Sequence, residues 1–405
     1  MIYRALTTAA GPLLRAGAPL AGADWRQRLV LDEASGHPAD GVWLHGASVG
    51  ELASVRQLAL TLARSLPVIL TANTTTGREL AAGWGLPARL APLDLPAVVD
   101  RFFRRYAPAA VVTVENEIWP NRAAAARARG AAQVVVGARM SARSAQRWAR
   151  LPGLIRPVLA GIDALSAQDA TTEARLLGLG LPPTALLPRL QLKLLDPAAT
   201  PAAPPGPERD RTWLAASTHA GEDEIVLDAF LAARRQVPDL RLVLAPRHPQ
   251  RGDAVAALIA ARGLPVARRS AGADAAEPVL LVDRLGEMPR WYDAAGICLT
   301  GGSLVDHGGH TPWEPAGHGC AILHGPHVAN ARDDYAALDA AGGALPVRAD
   351  DLADSVARLA GNPAEARAAG RAARALLQQR AGEPSVLVDR ILDLARQPER
   401  DAALP

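Results

Sequence analysis

Short apolar runs alternate along this chain with longer stretches in which apolar positions recur every three or four residues. Val42–His45, Val68–Thr71, Ala110–Val114 and Gln133–Val136 have the length and β-branched content of buried strands. Leu52–Leu66, Ala97–Tyr106 and Arg122–Arg129 carry the helical period between them. The alternation stops at Asp196–Pro207, a proline- and alanine-rich DPAATPAAPPGP stretch that reads as a linker. It then restarts. Thr212–Ala216, Arg241–Ala245, Val279–Asp283, Ile297–Thr300 and Ala321–Leu323 read as strands, with helices over Asp223–Arg235, Asp253–Arg262 and Asp351–Ala360. Two rounds of βα alternation predict two doubly wound α/β domains facing a cleft, at 23–195 and 211–405, joined by a linker at 196–210. Ligands in such sheets bind beyond the carboxyl ends of the strands.

Residues 1–22 are apolar but broken by Arg4, Gly11, Pro12, Arg15 and Pro19. No stretch reaches the ~20 apolar residues of a membrane span. A membrane-interfacial segment and a short helix both fit the first 22 residues. Arg101, Arg104 and Arg105, interleaved with Phe102 and Phe103, form a second candidate for docking on a membrane.

Composition narrows the function classes. With 405 residues, 49% hydrophobic and 21% charged, the chain can bury more than one core. A net charge of +3 and 4% aromatics carry no nucleic-acid signature. Cys298 and Cys320 form no CxxC pair, which fits a reducing compartment. Lys193 is the one lysine among 44 basic residues. A phosphate loop ending in Gly-Lys-Ser/Thr is therefore excluded, because Leu194 follows Lys193. A compact ammonium enters tight pockets that a planar guanidinium does not, so Lys193 is a candidate for such a slot; a chance survivor of compositional drift reads the same. No G-x-G-x-x-G follows a strand, which disfavours nicotinamide binding.

Five motifs could carry chemistry. HGASVGE, His45 to Glu51, lies at a strand-to-helix turn. Ser48 and Glu51 read as a capping box, or Glu51 reads as a general base kept ionised by the helix N-terminus. In VENEIWPN, Val114 to Asn121, Glu115 and Glu117 would share one face if the strand continued, with Pro120 opening the next helix. Solvated loop acids fit that motif equally. Arg247 in APRHP follows a strand and suits a phosphate or plain solvent. In STHAGEDE, Ser217 and Thr218 would cap a helix or touch a ligand. In GGSLVDHGGHTPWEPAGHG, Gly301 to Gly319, glycines allow close backbone approach. Thr311 and Glu314 there read as a second capping box whose amides suit a phosphate; Glu314 could instead accept from ribose hydroxyls. His307, His310, His318, His324 and His327 match no standard zinc spacing, and the chain has no D-x-D. Neither a metal nor another cofactor is expected.

These motifs, with ARMSARS and APRHPQR, stand in the order seen in the 3-deoxy-D-manno-octulosonic acid (Kdo) transferases, which the chain resembles from about Trp25 onward. The resemblance implies a GT-B glycosyltransferase fold of two Rossmann-like domains. It implies metal-independent, inverting transfer of Kdo from CMP-Kdo to the lipid A precursor (lipid IVA) in lipopolysaccharide biosynthesis. The partners it implies are that donor, that acceptor and the cytoplasmic face of the inner membrane of Gram-negative bacteria, where the protein would be peripheral or weakly anchored. It places Glu51 on the family's general base, and Glu115 and Lys193 on positions that stabilise the transition state. It places Pro246 and Arg247, then Gly286, Glu287 and Met288, then Thr311, Pro312, Trp313 and Glu314, on the three CMP contacts. Thr311 replaces the family's asparagine, Asn116 its threonine, and Leu190-Gln191 the Gly-Ser before its lysine. A paralogous GT-B transferase with another sugar or acceptor, and a non-catalytic membrane-associated binding protein, are the alternative readings. A pyridoxal-phosphate enzyme with Lys193 as Schiff base is a third.

Overall fold

The computed structural model describes residues 3–9, 22–32, 40–115, 117–275 and 278–397. The chain divides into two compact units, Met1–Leu195 with Ala381–Pro405, and Asp196–Arg380.

In the first unit six parallel strands are β1 (Val42–Gly46), β2 (Val68–Ala72), β3 (Ala88–Leu90), β4 (Ala110–Val114), β5 (Ala132–Ala138) and β6 (Ala164–Ala167). Their order is β3-β2-β1-β4-β5-β6, with Val42 facing Val68 on one side and Ala110 on the other. Every residue of β1, β2 and β4 is buried, as expected of strands covered by helices on both faces. On one face Trp43 packs against Phe102 and Phe103 of helix Pro96–Tyr106. This corrects the surface reading of that helix, for Phe102 and Phe103 are 0% and 2% exposed. Arg104 pairs with Asp100, Arg105 with Asp32, and Arg101 donates to the Leu29 carbonyl. Of the first 22 residues, 3–9 form a helix; 1–2 and 10–21 lie outside the described residues.

In the second unit seven parallel strands are β7 (Thr212–Thr218), β8 (Arg241–Pro246), β9 (Ala267–Arg268), β10 (Val279–Leu281), β11 (Ile297–Thr300), β12 (Ala321–His324) and β13 (Ala344–Pro346), in the order β13-β12-β11-β7-β8-β10-β9. Side chains alternate between two apolar layers. Trp213, Ala215, Leu242, Leu244, Ile297 and Leu299 join one core, and Leu214, Ala216, Val243, Ala245 and Cys298 the other. The unbroken apolar runs are thus two-sided strands.

The boundaries differ from those drawn on the sequence. Helix Leu192–Ala199 runs through the first residues of the expected linker, and Pro207–Asp210 is a helical turn. The second unit ends at Arg380 rather than at 405. Helix Pro384–Arg396 buries Leu387, Ile391 and Leu394 and packs on helix Arg56–Ala63 and on β4 and β5 of the first unit. Its apolar stripe finds its partner there.

Candidate active site

The first unit gathers carboxylates at the carboxyl end of its sheet. β1 ends at Gly46, and the chain turns into helix Val49–Ser54 with Ser48 as N-cap. The Ser48 hydroxyl accepts from the Glu51 amide at 3.2 Å. The Glu51 carboxylate accepts from the Ala47 amide at 2.8 Å and from the Ser48 hydroxyl at 3.3 Å. The capping box is present, with its return bond one residue before the cap. The box's bonds favour the ionised carboxylate as expected, but the net shift runs the other way. Burial pushes the Glu51 carboxyl above its usual range; Glu115 and Glu117 push the same way, against the Ala47 bond.

β4 stops at Val114. Glu115 takes φ +57°, a region few side chains adopt, while its amide still donates to the Val136 carbonyl at 2.9 Å. The expected continuous strand is therefore broken. Glu115 and Glu117 nonetheless both act electrostatically on Glu51. Gln168 holds Glu115, donating to its carboxylate at 3.4 Å and to the Gly137 carbonyl at 2.9 Å. Asn116 lies outside the described residues.

Glu117 accepts from the Trp119 indole, and the Nε2 atom of the fully buried His45 lies 3.7 Å from it. His45 Nδ1 is 2.9 Å from the Thr71 hydroxyl, which accepts from the Trp43 indole at 2.8 Å. Nδ1 is satisfied when that hydroxyl donates to it, which leaves the ring proton on Nε2, a buried atom without a hydrogen-bond partner that lies toward Glu117. Burial pushes His45 down to about 4, so it is neutral near pH 7. The imidazole and the Trp119 indole hold Glu117 well below the usual carboxylate range. Glu117 is thus a fixed charge and Glu51 the carboxyl that titrates.

Lys193 stands in the first turn of helix Leu192–Ala199. A Cβ at Gly137, where φ is +60°, would lie 2.4 Å from Leu192 Cδ1, so this helix starts against the end of β5. Gly137 and Gln168 link that position to Glu115. The expected slot is absent from the first unit. Lys193 is exposed, and none of the described residues pairs with it.

The second unit gathers histidines and arginines at the carboxyl ends of β7, β8 and β11. Glu222 opens helix Glu222–Gln236 and is 0% exposed. Its carboxylate accepts from the amides of His219, Gly302, Ser303 and Leu304 at 2.7–3.0 Å. Three of these four amides belong to the glycine-rich loop, which therefore turns them onto Glu222. Neither Ser217 nor Thr218 caps the helix; Gly221 does, while the Thr218 hydroxyl donates to Asp223 at 2.6 Å. Pro246 ends β8, and Arg247 beyond it has an exposed side chain and an amide bonded to the Thr218 carbonyl at 2.9 Å.

Gly286 turns with φ +85°. Glu287 pairs with Arg269 at 2.7 Å, and Met288 begins helix Met288–Ala294. The second capping box does not form. Helix Trp313–Gly317 has five residues with Pro312 at its cap, the Trp313 amide reaches Thr311 Oγ1 only at 3.5 Å, and Glu314 accepts from the Tyr292 hydroxyl at 3.3 Å. The late histidines disperse. His318 pairs with Asp293, His324 with Asp339 and His327 with Asp306. Only His307 and His310 remain together, joined by His219 and His248. Among the described residues no group of three or more His, Cys, Asp or Glu is arranged to hold a metal ion.

A family model described as 3-deoxy-D-manno-octulosonic-acid transferase (kdotransferase) matches residues 23–194. The 3-deoxy-D-manno-octulosonic acid transferase of Bordetella pertussis is 37% identical over 379 residues, 87% of each chain. That of Haemophilus influenzae is 32% identical over 399 residues, 92% of this chain and 91% of its own. The chain belongs to the Kdo transferase family. Two distant structures agree with the fold at 11% identity. UDP-GlcNAc 2-epimerase from Neisseria meningitidis has a TM-score of 0.55 over 87% of this chain and 100% of its own. A glycosyltransferase from Rickettsia africae has 0.51 over 89% and 98%. This Kdo transferase family member thus has the GT-B fold, built of two Rossmann-like domains. No helix among its described residues is long and apolar enough to cross a membrane.

Sequence reasoning missed His45, Gln168, His219 and Glu222 in this Kdo transferase family member. Three of the four lie inside motifs already singled out, but their partners are distant in sequence. Thr71 lies 26 residues from His45, and Gly302 lies 80 from Glu222. Gln168 stood in no motif and carried no signal.

Proposed function

We propose that this chain moves Kdo from CMP-Kdo to a lipid A precursor, with inversion and without a bound metal, in lipopolysaccharide biosynthesis at the cytoplasmic face of the inner membrane. The observation that carries the reading is the Glu51 carboxyl, anchored on the Ala47 amide at the carboxyl end of β1, with its acidity weakened by burial and two neighbouring acids. A general base works best with a pKa drawn toward the operating pH. Glu51 removes the proton of the acceptor hydroxyl as its oxygen attacks the anomeric carbon. Glu115, held by Gln168, offsets positive charge developing on the sugar ring. Lys193, exposed and unpaired among the described residues, is free to meet substrate. Arg247 receives the nucleotide phosphate, and the stretches around Gly286–Met288 and Thr311–Glu314 hold the rest of CMP. The absence of D-x-D from the sequence suits a phosphate neutralised by side chains. The test is incubation of the purified protein with CMP-Kdo and a lipid A precursor, followed by mass spectrometry. Added Kdo mass on the lipid, undiminished by EDTA, is the expected result; an unchanged lipid would refute the reading.

A further inference from the structure

His219 follows β7 and His310 lies in the loop after β11, and their Nε2 atoms meet at 2.9 Å. That distance is a hydrogen bond, so one ring donates and the other accepts. When His219 donates, its Nδ1 carries no proton and the Nδ1 of His310 carries one. One further proton on the free nitrogen makes a single cation shared by both rings, with an N–H at each outer end.

The pair is held in place. Glu222 fixes the His219 amide at 2.9 Å, and the Tyr335 hydroxyl donates to the His310 carbonyl at 2.7 Å. Gly302 lies against both rings, for a Cβ there would come within 3.4 Å of His219 and 3.5 Å of His310. The charged and titratable groups facing the pair are His307, stacked on His219 at 4.2 Å, His248 at 5.9 Å, and Arg247, Arg251 and Glu222. Burial and the surrounding cations push both imidazoles below the usual histidine range, so the pair is uncharged near pH 7. Glu222 is committed to four amides, and Arg251 to Asp223. Arg247 is the cation left exposed.

We infer that His219 and His310 act as one proton-sharing acid that receives the departing phosphate beside Arg247. This rests on the donor reading above. In the transfer step the bond between the anomeric carbon and the phosphate oxygen breaks, and its electron pair stays on that oxygen. The new bond forms to the acceptor oxygen, whose proton goes to Glu51. The phosphate thereby gains one negative charge, and a proton that the histidine pair takes up from solvent as the phosphate binds, presented as an outer N–H while the inner proton stays between the two Nε2 atoms, offsets it.

The test is calorimetric titration of the full chain with CMP at pH 8, in two buffers of different ionisation enthalpy. CMP is a dianion there, because the second ionisation of a phosphomonoester lies near ~6. Wild type is expected to take up a large fraction of a proton per CMP bound, and none with cytidine, which has no phosphate. His310→Gln and His219→Gln are expected to bind CMP with that uptake lost and turnover reduced by about 10²-fold or more. CMP binding without uptake, or uptake unchanged in both variants, overturns the inference and leaves the donor reading standing. Failure of wild type to bind CMP at all overturns both.

Discussion

Individual residues divide here into fixed charges and titrating ones, and that division could not be read from residue type. Glu51 and Glu117 are both glutamates at the carboxyl end of one sheet. One is pushed up by burial and by its acidic neighbours, the other down by His45 and Trp119. Lys193 shows the converse. Its rarity suggested a tight slot, yet the first unit leaves it exposed. The expected consequence is that Lys193→Ala changes thermal stability by less than about 0.5 kcal/mol, as surface substitutions do. Lys193→Arg keeps the charge, but a planar fork replaces a compact donor, and turnover is expected to fall by about 10²–10³-fold if the ammonium meets the transition state. Matched melts and turnover measurements check both. Wild-type turnover in the arginine variant would mean that the lone lysine has no chemical role.

At the scale of elements, strand ends and the loops beyond them carry the site, and buried side chains fix those loops. Glu222 is the clearest case, with four amides converging on one carboxylate. Glu222→Ala would leave those donors without a partner, and Gly302 and Ser303 among them are buried. Each buried donor so orphaned costs about 1–3 kcal/mol, so denaturant unfolding should register a loss of several kcal/mol. A loss under about 1 kcal/mol would show that the loop is held by something else. The elements legible in the sequence were the central ones. The strands that escaped, Ala88–Leu90, Ala164–Ala167, Ala267–Arg268 and Ala344–Pro346, are the four edges of the two sheets. They are two to four residues long and two of them are little buried, so none leaves a long apolar run. The capping box at Ser48 was legible because both its bonds are local. The one at Thr311 failed because Pro312 shifted the helix start and Glu314 was drawn to Tyr292.

For the whole molecule, the two-domain α/β plan was legible from periodicity, and the family from its motifs. The return of helix Pro384–Arg396 to the first unit was not, because an amphipathic stripe does not name its partner. The central claim is that this GT-B protein transfers Kdo with Glu51 as base, and Glu51→Gln tests it most directly. The sign of the linkage decides between base and cap. A carboxyl whose folded pKa is raised disfavours the folded state once pH passes its unfolded value of 4.5, so ionised Glu51 lowers stability near pH 7. Glutamine keeps an oxygen for the Ala47 amide and removes that charge. The account predicts that Glu51→Gln melts at or above the wild-type temperature at pH 7, while transfer from CMP-Kdo falls by about 10²–10⁴-fold. It also predicts that wild-type kcat/KM declines with acidification through a pKa above 4.5. A variant that melts well below wild type yet still transfers Kdo at a near-normal rate would contradict the claim and return Glu51 to a purely capping role.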